Sequence, residues 1–155
     1  MSKITLQNPV IHTPSYKRWG IQRYYVVKEL EKLGLTALLE GEDYVFDGWY
    51  YYTNMEGWGK VLYDLVFSSN LYNNVFDCDK YALKAYIECC QRYKMNTLLA
   101  CLGKVNTGHA FNIFIYGDEN GLEGAMLWEP NDGFSWSGEV FEIGEYDYQP
   151  EVVLL

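Results

Sequence analysis

The hydrophobic pattern of this chain changes period at Asn96, and that change constrains the fold more than any other feature. Before it, Cys78, Ala82, Ala85, Tyr86, Cys89 and Tyr93 are spaced as i, i+4, i+7, i+8, i+11 and i+15, one face of a helix. Lys80, Lys84, Glu88 and Gln91 take the opposite face. After it, residues 97–104, 109–116 and 122–129 read as strands, and Asp118-Glu119-Asn120-Gly121 carries the Asn-Gly signal of a hairpin. Residues 140–143 and 152–155 read as further strands. Helices first and an antiparallel meander second predict an α+β fold, with N-terminal helices packed on a C-terminal antiparallel sheet.

Upstream, residues up to Pro14 read as an extended arm. Ser15 is a candidate cap for a helix over 16–33, with Gly34 as its stop signal. Residues 44–46 suggest a short strand, 36–39 are ambiguous, and Asn54 is a candidate cap for a helix over 55–67. Asp77 is placed to cap the helix that begins at Cys78. A chain of 155 residues with 49% apolar residues fits one domain spanning 1–155 with a real core.

The formal net charge of −9, with no basic run, argues against nucleic acid and anionic membrane surfaces as partners. No stretch is long and apolar enough to span a bilayer, and the N-terminus lacks the apolar core of an export signal. A reducing cytoplasm is therefore expected, with Cys78, Cys89, Cys90 and Cys101 as thiols. Two histidines and no Cys-x-x-Cys pair give no support to a zinc site, no calcium-loop spacing appears, and no cofactor is expected. The aromatic run Trp49-Tyr50-Tyr51-Tyr52 suits either a cleft wall or core packing, and packing is the commoner use.

Three residues carry a chemical pattern. Cys78 opens a helix, where free N–H groups and the dipole favour thiolate, although Asp77 and Asp79 oppose a second anion. His109 begins a strand, and Glu129 ends the next one across the Asn-Gly hairpin. Counted outward from 117–121 the two are about equally far from the turn, so they should be near neighbours across the strands. A thiol, an imidazole and a carboxylate in this order make a nucleophile, a proton carrier and an orienting group. The expected geometry puts the Cys78 sulfur within about 4 Å of one ring nitrogen, and Glu129 at the other. Each residue alone is ordinarily structural; Cys89 and Cys101 are expected to be small core residues.

The runs Asp77-Cys78-Asp79-Lys80-Tyr81-Ala82, Gly108-His109-Ala110-Phe111-Asn112 and Glu129-Pro130-Asn131 resemble the papain-like peptidases. The likeness is nearest to bacterial and phage transglutaminase-like cysteine peptidases and to the protease domain attached to a mushroom agglutinin. The resemblance covers 77–132 and implies a papain-like fold that cleaves an amide bond in a peptide or protein substrate. By it, Cys78 is the nucleophile, His109 the general base and acid, and Glu129 the orienting carboxylate. Asn131 stands where the agglutinin-like pattern has Gln, and is the second candidate for orienting the ring. Papain-like enzymes hold the oxyanion with a side chain upstream of the Cys; Asn73 and Asn74 are the candidates here, and Trp58 is a candidate by type for the upstream Trp of transglutaminase-like enzymes. Amide transfer and cleavage of a cell-wall peptide use the same triad. The rival from another class is a binding module without catalysis on the same fold.

Overall fold

The computed structural model describes residues 15–38 and 47–155. The predicted arm through Pro14 and the predicted strand over 44–46 lie outside the described residues. The architecture is α+β. A six-stranded sheet contains β2 (Thr36–Leu38), β4 (Leu98–Val105), β5 (Thr107–Asp118), β6 (Gly121–Trp128), β7 (Val140–Phe141) and β8 (Gln149–Leu154), in the order β2-β8-β4-β5-β6-β7. The five strands from β8 to β7 are antiparallel, and β2 joins the edge parallel to β8. A separate pair is formed by β1 (Trp19–Gln22) and β3 (Trp49–Tyr52). Among the described residues there are three α-helices, α1 (Arg23–Lys32), α2 (Met55–Leu62) and α3 (Cys78–Glu88), the last prolonged by a π turn over Cys89–Tyr93.

Strand alternation divides the core into two layers. Phe111, Ile113 and Ile115 of β5 face Val26 and Leu30 of α1, with Leu99, Cys101, Leu127, Phe141 and Tyr148 in the same cluster. Ala110 and Phe114 face the other way. Phe114 clusters with Trp58, Val61 and Leu62 of α2, Ala85 of α3 and Cys89 of the π turn. Ala110 joins Ala82 and Ala100 in a cluster of small side chains that lets α3 lie close to β4 and β5. Asn112, fully buried on this face, donates to the carbonyls of Ala82 (3.0 Å) and Leu99 (3.2 Å), tying the Cys78 helix to the His109 strand. Among the described residues, no helix is long and apolar enough to cross a membrane.

The helix expected over 16–33 starts late. Residues Trp19–Gln22 are strand because they pair with Tyr52 to Trp49, and tertiary pairing overrides a weak helical pattern. Gly20 belongs to that pairing: a Cβ there would stand 3.1 Å from the Tyr51 ring. Ser15 caps nothing, while Gly34 ends α1 with φ +73°, as its position suggested. Asn54 does cap α2, its side chain accepting from Gly57 N at 2.9 Å, but the α-helix stops at Leu62 and a 3-10 turn carries the chain to Leu65. In the aromatic run, Tyr50 and Tyr52 are core and Trp49 and Tyr51 face outward.

Candidate active site

The approach to Cys78 is a loop that builds itself. The Asn73 side-chain oxygen accepts from Val75 N (2.8 Å) and Phe76 N (3.0 Å), and its amide donates to the Leu71 carbonyl (3.0 Å). Tyr81, from the first turn of α3, reaches back to the Ser68 carbonyl (2.7 Å) and takes the Phe76 ring edge-on. Asp77 ends the loop in extended conformation. It does not cap with its side chain, as its type had suggested. Its backbone carbonyl accepts from Lys80 N and Tyr81 N, and its carboxylate pairs with Lys80 at 3.0 Å. Lys80 also donates to Asp79 at 2.9 Å. The cation thus lies between the two acids that flank Cys78.

Cys78 is a free, half-buried thiol at the first position of α3, packed against Ala82, Ala100 and Ala110. Ala110 follows His109 in the chain, but strand alternation turns the two side chains to opposite faces of β5. Among the described residues, no hydrogen bond joins Cys78 to His109.

The other half of the site lies on the opposite side of β5. His109 Nε2 is 2.8 Å from Glu129 Oε2, with the His109 side chain 13% exposed and that of Glu129 1%. Glu129 Oε2 also receives the Tyr148 hydroxyl at 2.7 Å, and Oε1 receives the backbone N–H of Asn131 at 3.0 Å. Three donors therefore hold a buried carboxylate, the condition under which a charge is tolerated away from water. The imidazole is walled by Phe111 (6.0 Å between centroids, stacked), Phe134 (5.4 Å) and Tyr148 (5.8 Å, edge-on). An ionised carboxylate only accepts, so opposite one Nε2 is the ring nitrogen that donates.

The His109–Glu129 contact is diagonal, not directly across the strands. Asn112 faces Trp128, and that register, carried one residue on, sets Glu129 opposite Phe111. A register shift between Tyr116 and Gly117 moves the pairing away from the simple count about the hairpin. His109 and Phe111 share a face of β5, and the glutamate side chain is long enough to span the offset.

The three upstream candidates sit in different settings. Trp58 is fully buried under α2, its Nε1–H given to the Ile115 carbonyl at 3.1 Å and its ring against Phe114. Asn73 spends both ends of its carboxamide on its own turn. Asn74 lies exposed on the loop before Cys78. Asn131 does not reach the ring: its Oδ1 accepts from Gly133 N at 2.9 Å, and its role at the site is the backbone N–H on Glu129. Sequence reasoning passed over Tyr148, Trp136 and Phe134, which come from the segment between β6 and β8. Their only signal was a cluster of aromatics in a stretch with no helix or strand period, and that does not say which ring turns inward.

Elsewhere, burial pushes the Cys101 thiol up to about 12 and holds Cys89 well above the ordinary thiol range. Among the described residues, no group of three or more His, Cys, Asp or Glu is placed to hold a metal ion. No family model matches this chain, no curated protein matches it, and no solved structure matches its fold.

Proposed function

We propose that this chain is a thiol hydrolase of papain-like type that cleaves an amide bond in a peptide, with Cys78 as nucleophile, His109 as proton carrier and Glu129 as orienting group. The buried 2.8 Å contact between Glu129 Oε2 and His109 Nε2 carries this reading. A carboxylate held by two further donors and aimed at one ring nitrogen fixes the tautomer and stabilises the imidazolium. Nδ1 takes the Cys78 proton. The sulfur adds to the carbonyl carbon, and the N–H groups at the head of α3 receive the oxyanion. His109 returns the proton to the leaving amine as the C–N bond breaks, leaving a thioester on Cys78. Water, deprotonated by the same ring, attacks the thioester, and the acid and the thiol are released. Contacts between such a thiol and its base are often long without substrate and tighten when it binds.

The test is a fluorogenic peptide library together with iodoacetamide mapping by mass spectrometry. Cleavage lost in Cys78→Ala, and alkylation of Cys78 far ahead of Cys89, Cys90 and Cys101, is the expected result. Four equally sluggish thiols and no cleavage would replace this reading with that of a binding module.

A further inference from the structure

Trp136 Nε1 lies 3.3 Å from the Tyr148 oxygen, and the Tyr148 oxygen lies 2.7 Å from Glu129 Oε2. An indole N–H can only donate, so the phenol oxygen accepts from Trp136 and its own hydrogen is free for the carboxylate. Burial, with the Glu129 charge beside it, holds the phenol above the ordinary tyrosine range, so the hydroxyl keeps its proton. The polarity of the whole row is then settled: Trp136 donates to Tyr148, Tyr148 donates to Glu129, and His109 donates to the same carboxylate oxygen from the other side.

The fold invests in this placement. Tyr148 is fully buried at the entry to β8, in a turn closed by Gly144 N to the Tyr148 carbonyl (2.9 Å) and by Tyr148 N to the Glu145 carbonyl (3.0 Å). Its ring packs edge-on against Phe111, Phe141 and His109. Trp136 is in turn stacked on Tyr146 at 4.8 Å. With Asn131 N–H on Oε1, both oxygens of Glu129 are pinned, and neither ring nor carboxylate can turn without breaking a buried bond.

We propose that Tyr148 is a positioning residue of the thiol hydrolase site, acting only through Glu129, with Trp136 orienting its hydroxyl. The proposal rests on the reading of Cys78, His109 and Glu129 as the reacting set. Tyr148→Phe is the direct variant, because it keeps the ring and removes one hydrogen-bond donor to a charged group. It should lower kcat about tenfold to a hundredfold and leave KM within about twofold. In a Glu129→Gln background the same change should cost less than about twofold, since the group it acts through is already altered. The His109 Nε2–H proton, observed by NMR in the Cys78→Ala protein, should be sharp with Tyr148 and broadened by exchange in Tyr148→Phe.

Equal losses in both backgrounds, or an unchanged kcat with an unchanged proton signal, overturn the proposal. If Tyr148→Phe does not fold, Trp136→Phe decides. A smaller loss that needs Glu129 upholds the chain, and one independent of Glu129 overturns it. If the wild type cleaves no peptide, the hydrolase reading falls. The NMR signal then decides Tyr148 alone: broadening with the fold retained upholds its hold on the Glu129–His109 pair, and an unchanged signal overturns it.

Discussion

Cys78 and Cys89 sit on one apolar stripe, at the two ends of α3, and their surroundings could hardly differ more. At the N-terminal end, Cys78 is half-buried among alanines, at the head of the helix dipole, with Lys80 between the neighbouring acids. At the C-terminal end, Cys89 is fully buried among Trp58, Leu65 and Phe114, where burial disfavours a thiolate. Cys90 beside it is also raised by burial, although a hydrogen bond from Tyr86 works the other way. Membership of one apolar stripe therefore does not give two cysteines the same surroundings.

The sharpest way to break this contrast is by mutation and turnover. Cys78→Ala and His109→Ala should each lower kcat by at least roughly 10³-fold, because in the proposed triad nucleophile and base act as a unit. Cys89→Ala should keep turnover per folded molecule within about twofold, as no reacting group touches it. Initial rates, with folded protein quantified by circular dichroism, are the measurement. The reverse pattern would assign a reactive thiol to the tail of α3 and not to its head.

Glu129→Gln comes next. The amide keeps the volume and can still meet the ring, but the charge that supports the imidazolium is gone. A loss of roughly 10²-fold to 10³-fold in kcat is expected, short of abolition. Full activity in this variant would mean that the 2.8 Å contact is packing and not chemistry.

What could be read in the sequence, and what could not, divides along the same line. The stripe of α3 and the strand–hairpin–strand of β5 and β6 follow from local periodicity and turn chemistry, which act over a few residues. The strand at Trp19–Gln22 was hidden because its partner is Trp49–Tyr52, far along the chain. The diagonal contact of His109 with Glu129 was hidden by a register shift beside the hairpin. Tyr148 was hidden because an irregular segment has no period to say which face its side chains take. Asn73 and Trp58 matched by type alone, and type does not reveal that a carboxamide closes its own turn or that an indole is core.

Alkaline stability gives a third handle. Cys101 is pushed up to about 12 from 9.0 by burial, so the folded state prefers the protonated thiol. A raised acid of this kind contributes its full share below about pH 9 and loses it as pH rises through about 12. The share is on the order of 4 kcal/mol, from about three pH units at 1.36 kcal/mol each. Buried Tyr148 and Tyr93 and half-buried Tyr86 are raised in the same direction. Unfolding monitored by circular dichroism should therefore begin above about pH 9 in the wild type, and Cys101→Ala should show a shallower decline over that range. An identical pH slope in the two proteins would remove Cys101 from the account.

The smallest effect separates core from site at neutral pH. Cys101 is fully buried opposite Phe111, in the layer with Leu99, Ile113 and Val153, and Cys101→Ala leaves a small void there. A loss of about 1–2 kcal/mol is expected, read as a lower melting temperature with turnover per folded molecule intact. Cys78→Ala removes the same atom from a half-buried helix start already lined by Ala82, Ala100 and Ala110, and should cost about 1 kcal/mol or less. Thermal melts of the two variants side by side measure the difference. If Cys78→Ala proves the more damaging to the melt, its sulfur is filling a core and the head of α3 is not an open reactive end. The contrast between the two ends of the helix would then be one of degree of burial alone, and the Glu129–His109 pair would be left without a nucleophile.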